Sequence, residues 1–190
     1  MKINPNDFAQ NNAIVKKELS EGIKVFVPVG ARHGTFSTGT PYLEIGHVCI
    51  ESDRNPDREI GCTHYTRFPL IEKMLWNIGN YAYAIGYRKE FDPEDLNDVQ
   101  QVLMTGPLKI KLEDSDYGLQ AKKFYVHSVE RDADGFPLFS EEIQSLIIKA
   151  EGWCSKAFAK AVEREGGSYS TSKPKATSSN EFDPNGEVPF

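Results

Sequence analysis

Between Leu108 and Val129 the chain alternates twice. In the first run Leu108, Ile110 and Leu112 interleave with Lys109, Lys111 and Glu113. In the second, Phe124 and Val126 interleave with Lys123, Tyr125 and His127. Successive residues of a strand point to opposite faces, so each run predicts a strand with one buried side. The segment between them, Glu113-Asp114-Ser115-Asp116-Tyr117-Gly118, holds the Asp, Ser and Gly that reverse an antiparallel pair. One face of this hairpin is core. The other sets lysines beside a tyrosine and a histidine, a pattern that suits a sugar-phosphate backbone whose bases stack. The same pattern also serves as an ordinary solvated strand face.

The rest of the chain supplies partners for the hairpin. Residues 1–21 read as a polar lead-in. Gly22–Arg32 predicts a first strand, with Val25, Val27 and Val29 on one side and Lys24 and Phe26 on the other. Pro28 places that strand at an edge or at a bulge. A glycine-flanked loop, His33–Thr40, presents Phe36, and a second strand follows over Tyr42–Ile50. Ser52–Arg58 is a turn, and Glu59–Thr66 a third strand. From Pro69 to Gly86 the period changes: Ile71, Met74, Leu75, Ile78, Ala82 and Ile85 recur at helical spacing. Asp92-Pro93-Glu94-Asp95 opens a shorter helix that closes at Gly106. Ser140-Glu141-Glu142 starts a long helix running to about Glu165, its apolar side carrying Trp153 and Phe158. Three strands, a helix, two strands and a final helix are the order of a five-stranded OB-fold barrel with its helix between strands three and four. A different small barrel, or an α+β sheet with helices on one side, satisfies the same pattern.

A chain of 190 residues accommodates one buried domain with appendages, expected here over 1–166. Apolar content of 39% and charged content of 26% fit a globular protein, and no apolar run reaches the roughly 18 residues of a membrane span. The N-terminus lacks the apolar core of a secretory signal, and three cysteines are few and odd in number, so a cytoplasmic location with free thiols is expected. The net charge of −6 stays negative when residues 167–190 are removed, so any nucleic-acid face must be a local patch.

At Gly39–Ile45, Arg58-Glu59-Ile60, Ile85-Gly86-Tyr87 and Asp92–Leu96 the sequence resembles a phage family of single-stranded DNA-binding proteins, over about residues 20–130. The ending Glu187-Val188-Pro189-Phe190 is similar to the C-terminal tip of bacterial single-stranded DNA-binding proteins, although only Asp183 and Glu187 stand where that family has several acids. The resemblance implies a non-enzymatic protein that coats single strands in phage replication, recombination or repair, in the host cytoplasm. It also implies a tail that recruits partner proteins of those processes.

The binding candidates are Arg32, Lys109, Lys111 and Lys123 for phosphates, with Phe36, Tyr42, Tyr65, Tyr125 and His127 for bases. Residues 168–181, rich in Ser, Thr, Lys and Ala, read as a disordered linker. Beyond it Phe182, Asp183, Glu187, Val188, Pro189 and Phe190 form the expected partner-binding tip. A second constellation, His47 and Cys49 facing Cys62 and His64 across a strand pair, is a donor set zinc accepts. Parallel side chains two apart on strands fit a tetrahedral ion poorly, and buried structural roles for the four are the plainer reading. No cofactor is otherwise implied. Glu113, Asp114 and Asp116 offer carboxylates for a magnesium-dependent nuclease, but Asp and Ser belong in a turn for conformational reasons. From another class, the same barrel serves an interaction or assembly protein that binds no nucleic acid, a reading the acidic body favours.

Overall fold

The computed structural model describes residues 17–165. In chain order it contains β1 (Gly22–Thr35), β2 (Pro41–Glu51), a single-turn α1 (Pro56–Glu59) and β3 (Thr63–Pro69). A 3₁₀ turn (Glu72–Met74) then leads into α2 (Leu75–Ile85), followed by α3 (Leu96–Leu103), β4 (Leu108–Ser115), β5 (Gly118–Val126) and α4 (Glu141–Arg164). The expected lead-in up to residue 16, the linker and the tip residues Phe182, Asp183, Glu187, Val188, Pro189 and Phe190 lie outside the described residues. No described helix is long and apolar enough to cross a membrane.

The strands form one antiparallel sheet in the order β3-β2-β1-β4-β5. The sheet is not closed into a barrel, which corrects the expected closure. Its edges, β3 and β5, share no ladder, and side chains join them instead. His64 Nε2 donates to the Leu119 carbonyl at 3.1 Å. Tyr81 of α2 lies edge-on between Phe68 and Phe124, at centroid distances of 5.4 and 5.3 Å. Rings from β3, α2 and β5 thus meet on the core side of this junction.

Each face of the sheet has its own core. On one, Phe26, Leu43, Ile45, Phe68, Leu108, Ile110 and Leu112 pack against Ile78, Tyr81 and Ile85 of α2 and Val99 and Val102 of α3. On the other, Val25, Val27, Val29, Val48 and Ile50 lie under Ala150 and Cys154 of α4. Fully burying one such side chain is worth about 1.5–3 kcal/mol. The alternation within β1 is therefore real, but both of its faces are covered. Pro28 sits in a central strand rather than at an edge. It falls at a bulge, past the Gly22–Phe26 stretch that pairs with β4, so its missing N–H breaks no bond in that ladder.

Several boundaries move. Asn55-Pro56 opens α1, so the third strand starts at Thr63, not Glu59. Glu59 is instead drawn inward, where it pairs with buried Lys24 at 3.2 Å and accepts from Ser20 and Ser52. Pro69 ends β3 rather than starting the helix. Within the Asp92–Asp95 opening of α3 the cap is the last residue, Asp95, whose side chain accepts from the Asn97 N–H at 2.8 Å. Gly86 closes α2 in the left-handed conformation at φ 97°, and Ser140 caps α4, both as the sequence predicts.

Candidate nucleic-acid interface

The β4–β5 register sets Lys109 opposite Tyr125 and Lys111 opposite Lys123. Paired residues of adjacent strands share a face. The β1–β4 register adds Val25 beside Lys109 and Ile23 beside Lys111, so this surface continues the sheet face on which α4 lies. Ile23, Lys123 and Tyr125 are exposed, while Lys109 and Lys111 are half-buried along their stems. Lys111 is paired with Glu113 at 2.5 Å, and that hydrogen bond raises the lysine's pKa and lowers the carboxyl's. His127 is half-buried, 3.7 Å from Glu51. A bulge between Lys111 and Leu112 leaves Lys122 exposed as a further cation that strict alternation hides. On the core side Phe124 packs on Tyr81 and Phe68, but Val126 is exposed rather than core.

The remaining binding candidates are not loose surface groups. Arg32 and Tyr42 are buried in an ionic cluster that spans β1, β2 and β3, because Arg32, Glu44 and Arg67 are successive cross-strand neighbours. Arg32 Nε donates to Glu44 Oε2 at 2.5 Å, and Arg67 Nε to Glu44 Oε1 at 2.7 Å. The Arg32 Nη atoms donate to the Glu165 carboxylate at 3.1 Å and to Tyr42 Oη at 2.9 Å. Phe36 lies against the Tyr42 ring at 4.5 Å. Tyr65 is half-buried against Phe158 of α4 at 5.7 Å. Burial raises the Tyr42 pKa, whereas hydrogen bonds from Arg32 hold the Glu165 carboxyl below its ordinary range. Arg32 and Tyr42 thus stand as members of an internal network in this structure. Arg67, Glu44 and Glu165 escaped sequence reasoning. A glutamate inside the apolar Tyr42–Ile50 run was the available signal for a buried cation nearby.

The histidine–cysteine quartet has the expected register, with His47 opposite His64 and the Cys49 N–H bonded to the Cys62 carbonyl at 2.9 Å. Its side chains are engaged elsewhere. His47 donates from Nδ1 to the His64 carbonyl and accepts at Nε2 from the Tyr81 hydroxyl at 3.0 Å. The Cys49 thiol points to the Glu51 carbonyl and the Cys62 thiol to that of Arg58. Burial lowers the His47 pKa to about 3 and raises that of Cys49 to about 12, so both are neutral. Among the described residues no three His, Cys, Asp or Glu gather as metal ligands, His47, Cys49, Cys62 and His64 included. The turn acids Glu113, Asp114 and Asp116 do not gather either. A cleft of about 350 Å³ between β1, α3 and α4 is lined mainly by apolar groups such as Val29, Leu103, Met104 and Ile147, with Glu151 as its acid.

No protein-family model matches this chain, and no curated protein matches it.

Proposed function

We propose that this protein binds single-stranded DNA without catalysing a reaction, using the Lys109/Tyr125 and Lys111/Lys123 pairs with Lys122 beside them. That arrangement carries the reading. It offers a row of cations for phosphates and an exposed ring for a base, on a rigid sheet rather than on a loop. The net negative charge limits the contact to this patch. We read the strand order as that of an OB-fold opened between β3 and β5, a fold whose sheet face takes single strands. Its place is then phage replication, recombination or repair in the host cytoplasm, with partners recruited through Phe182, Asp183, Glu187, Val188, Pro189 and Phe190. An interaction or assembly role without nucleic acid is favoured by a different observation. Trp76 and Tyr83 stand 64% and 62% exposed on the outer side of α2, residue types that anchor protein interfaces.

Titrating a labelled oligonucleotide, single-stranded and duplex, at two salt concentrations separates the two. Single-strand binding predicts a preference over duplex and a shallow slope of log affinity against log salt, roughly −2 to −3 for three or four phosphates neutralised. Equal affinity for both forms, or none at low salt, leaves the assembly role.

A further inference from the structure

We infer that the exposed flank of α4 carrying Lys149, Trp153, Lys156 and Lys160 is a second contact surface for single-stranded DNA. The inference rests on the single-strand reading above and extends that strand beyond the hairpin.

A body of net charge −6 attracts a strand only where cations gather. On α4 the spacing of four, three and four residues sets Lys149, Trp153, Lys156 and Lys160 in one line along the helix. All four are exposed. A solvated helix face gains stability from Glu placed one turn from Lys, and this line does without it. The residues three and four positions from Lys149 are Ser145, Leu146, Gly152 and Trp153. Those around Lys156 are Gly152, Trp153, Ala159 and Lys160, so that Lys156 and Lys160 form a like-charge pair that works against the helix. The macrodipole favours cations only in the last turn, where Arg164 stands, and accounts for neither Lys149 nor Lys156. Among the described residues none of the three lysines is in an ion pair, whereas Lys111 of the hairpin is held by Glu113.

Trp153 supplies the ring. It is 49% exposed, although its neighbour Cys154 is buried against the sheet. Beside it stands Gly152, where a Cβ would meet nothing within 4 Å. Glycine weakens a helix interior, and no packing requires it here. Its effect is to leave the surface between Lys149 and Lys156 bare and one side of the indole open. A ring set between cations takes a stacked base with phosphates to either side.

The flank has a definite place. Leu146, on the same line, rests at the β2–β3 connection, its Cδ1 3.1 Å from where a Cβ on Gly61 would lie. Ile147, Ile148 and Glu151, on the opposite flank, line the cleft beside α3. The line therefore faces the β3 side of the sheet, and the hairpin lies across β1 from it. Both project from the sheet face that α4 covers. A strand held at both crosses over α4.

Trp76 and Trp153 are the two tryptophans, so Trp76→Phe leaves Trp153 as the sole indole emitter. Titration with unlabelled oligodeoxythymidylate is expected to quench that emission to saturation, and added salt to restore it. Lys149→Gln/Lys156→Gln in the same background keeps a good helix former at both positions and abolishes the quench. With a labelled oligodeoxythymidylate the double variant loses about tenfold in affinity, and its salt slope is shallower by roughly 0.7 for each charge removed. Lys89→Gln, an exposed lysine beyond α2, gives neither effect. Unchanged Trp153 emission at saturating DNA overturns the inference and leaves the flank to an acidic protein partner. A double variant that binds as the native protein does, while Lys123→Gln still weakens binding, overturns it too and leaves the hairpin reading standing. If Lys123→Gln has no effect and the double variant binds weakly, the hairpin reading fails and α4 stands as the site. Absence of binding in the native protein overturns both.

Discussion

Burying Lys24 beside Glu59 withdraws two charges from water, and each loses several kcal/mol of hydration unless hydrogen bonds replace it. Here the Ser20 amide and the hydroxyls of Ser20 and Ser52 satisfy the carboxylate, and Lys24 also donates to the Glu21 carbonyl. Burial opposes ionisation of Glu59, but these bonds outweigh it and hold the carboxyl below its ordinary range. Breaking one side leaves the other charge unpaired. Glu59→Leu should therefore cost about 3–5 kcal/mol in urea denaturation, while the double variant Lys24→Met/Glu59→Leu should recover most of that loss. A double variant no more stable than the single one would refute the pairing as the cause. At the same scale, Tyr125→Ala should weaken single-strand binding by about 1–3 kcal/mol with the fold intact, measured by oligonucleotide titration and thermal melting. The facing of Lys109, Lys111, Lys123 and Tyr125 was legible, because alternation is a local signal. The Lys24–Glu59 pair was not, because a helical turn at Pro56, rather than a strand, turns Glu59 inward.

The elements themselves were legible where periodicity is strong. The hairpin, α2, α4 and the first two strands lie where their patterns put them. Boundaries marked only by proline moved, since Pro69 is equally at home ending a strand or opening a helix. The seat of α4 was beyond local reading. The helix shows an apolar face, but what that face meets depends on a glycine pair, Gly30 opposite Gly46, on neighbouring strands. A Cβ on Gly46 would come within 2.5 Å of Cys154 Sγ and 3.2 Å of the Tyr65 ring, and one on Gly30 within 3.1 Å of the same sulfur. The two glycines form the notch that lets α4 lie close. Gly46→Ala should cost about 1–3 kcal/mol through overpacking. Cys154→Ala, mildly destabilising alone, should restore part of that stability, since it removes the atom that clashes. Chemical denaturation of the two single variants and the double gives the coupling, and simple additivity would mean that α4 does not rest on this notch.

At the scale of the molecule, the barrel was the expectation that failed. Strand order is written in the succession of elements, but closure depends on whether two distant edges meet as backbone. Here the edges are linked by His64 and by aromatic side chains of α2, β3 and β5. That junction makes stability depend on pH. Burial, with His64 adding to it, lowers the His47 pKa to about 3, and burial also lowers the His64 pKa. In the unfolded chain both imidazoles take up a proton near pH 6.5. Above that pH neither state is protonated and stability is complete. As pH falls below it the unfolded chain gains protons that the native state refuses, so stability drops. Each histidine contributes a slope of up to about 1.4 kcal/mol per pH unit. Glu59 and Glu165, whose pKa values are depressed, hold their contribution above the ordinary carboxylate range and lose it only at lower pH. The loss between about pH 6.5 and 5 therefore belongs mainly to the histidines. Urea midpoints measured over this interval should fall steadily in the native protein. The fall should be shallower by about one proton in His47→Gln, whose amide can still meet the Tyr81 hydroxyl. An unchanged slope in that variant would mean that His47 takes up its proton while folded, and that the junction between the sheet edges is wet rather than packed.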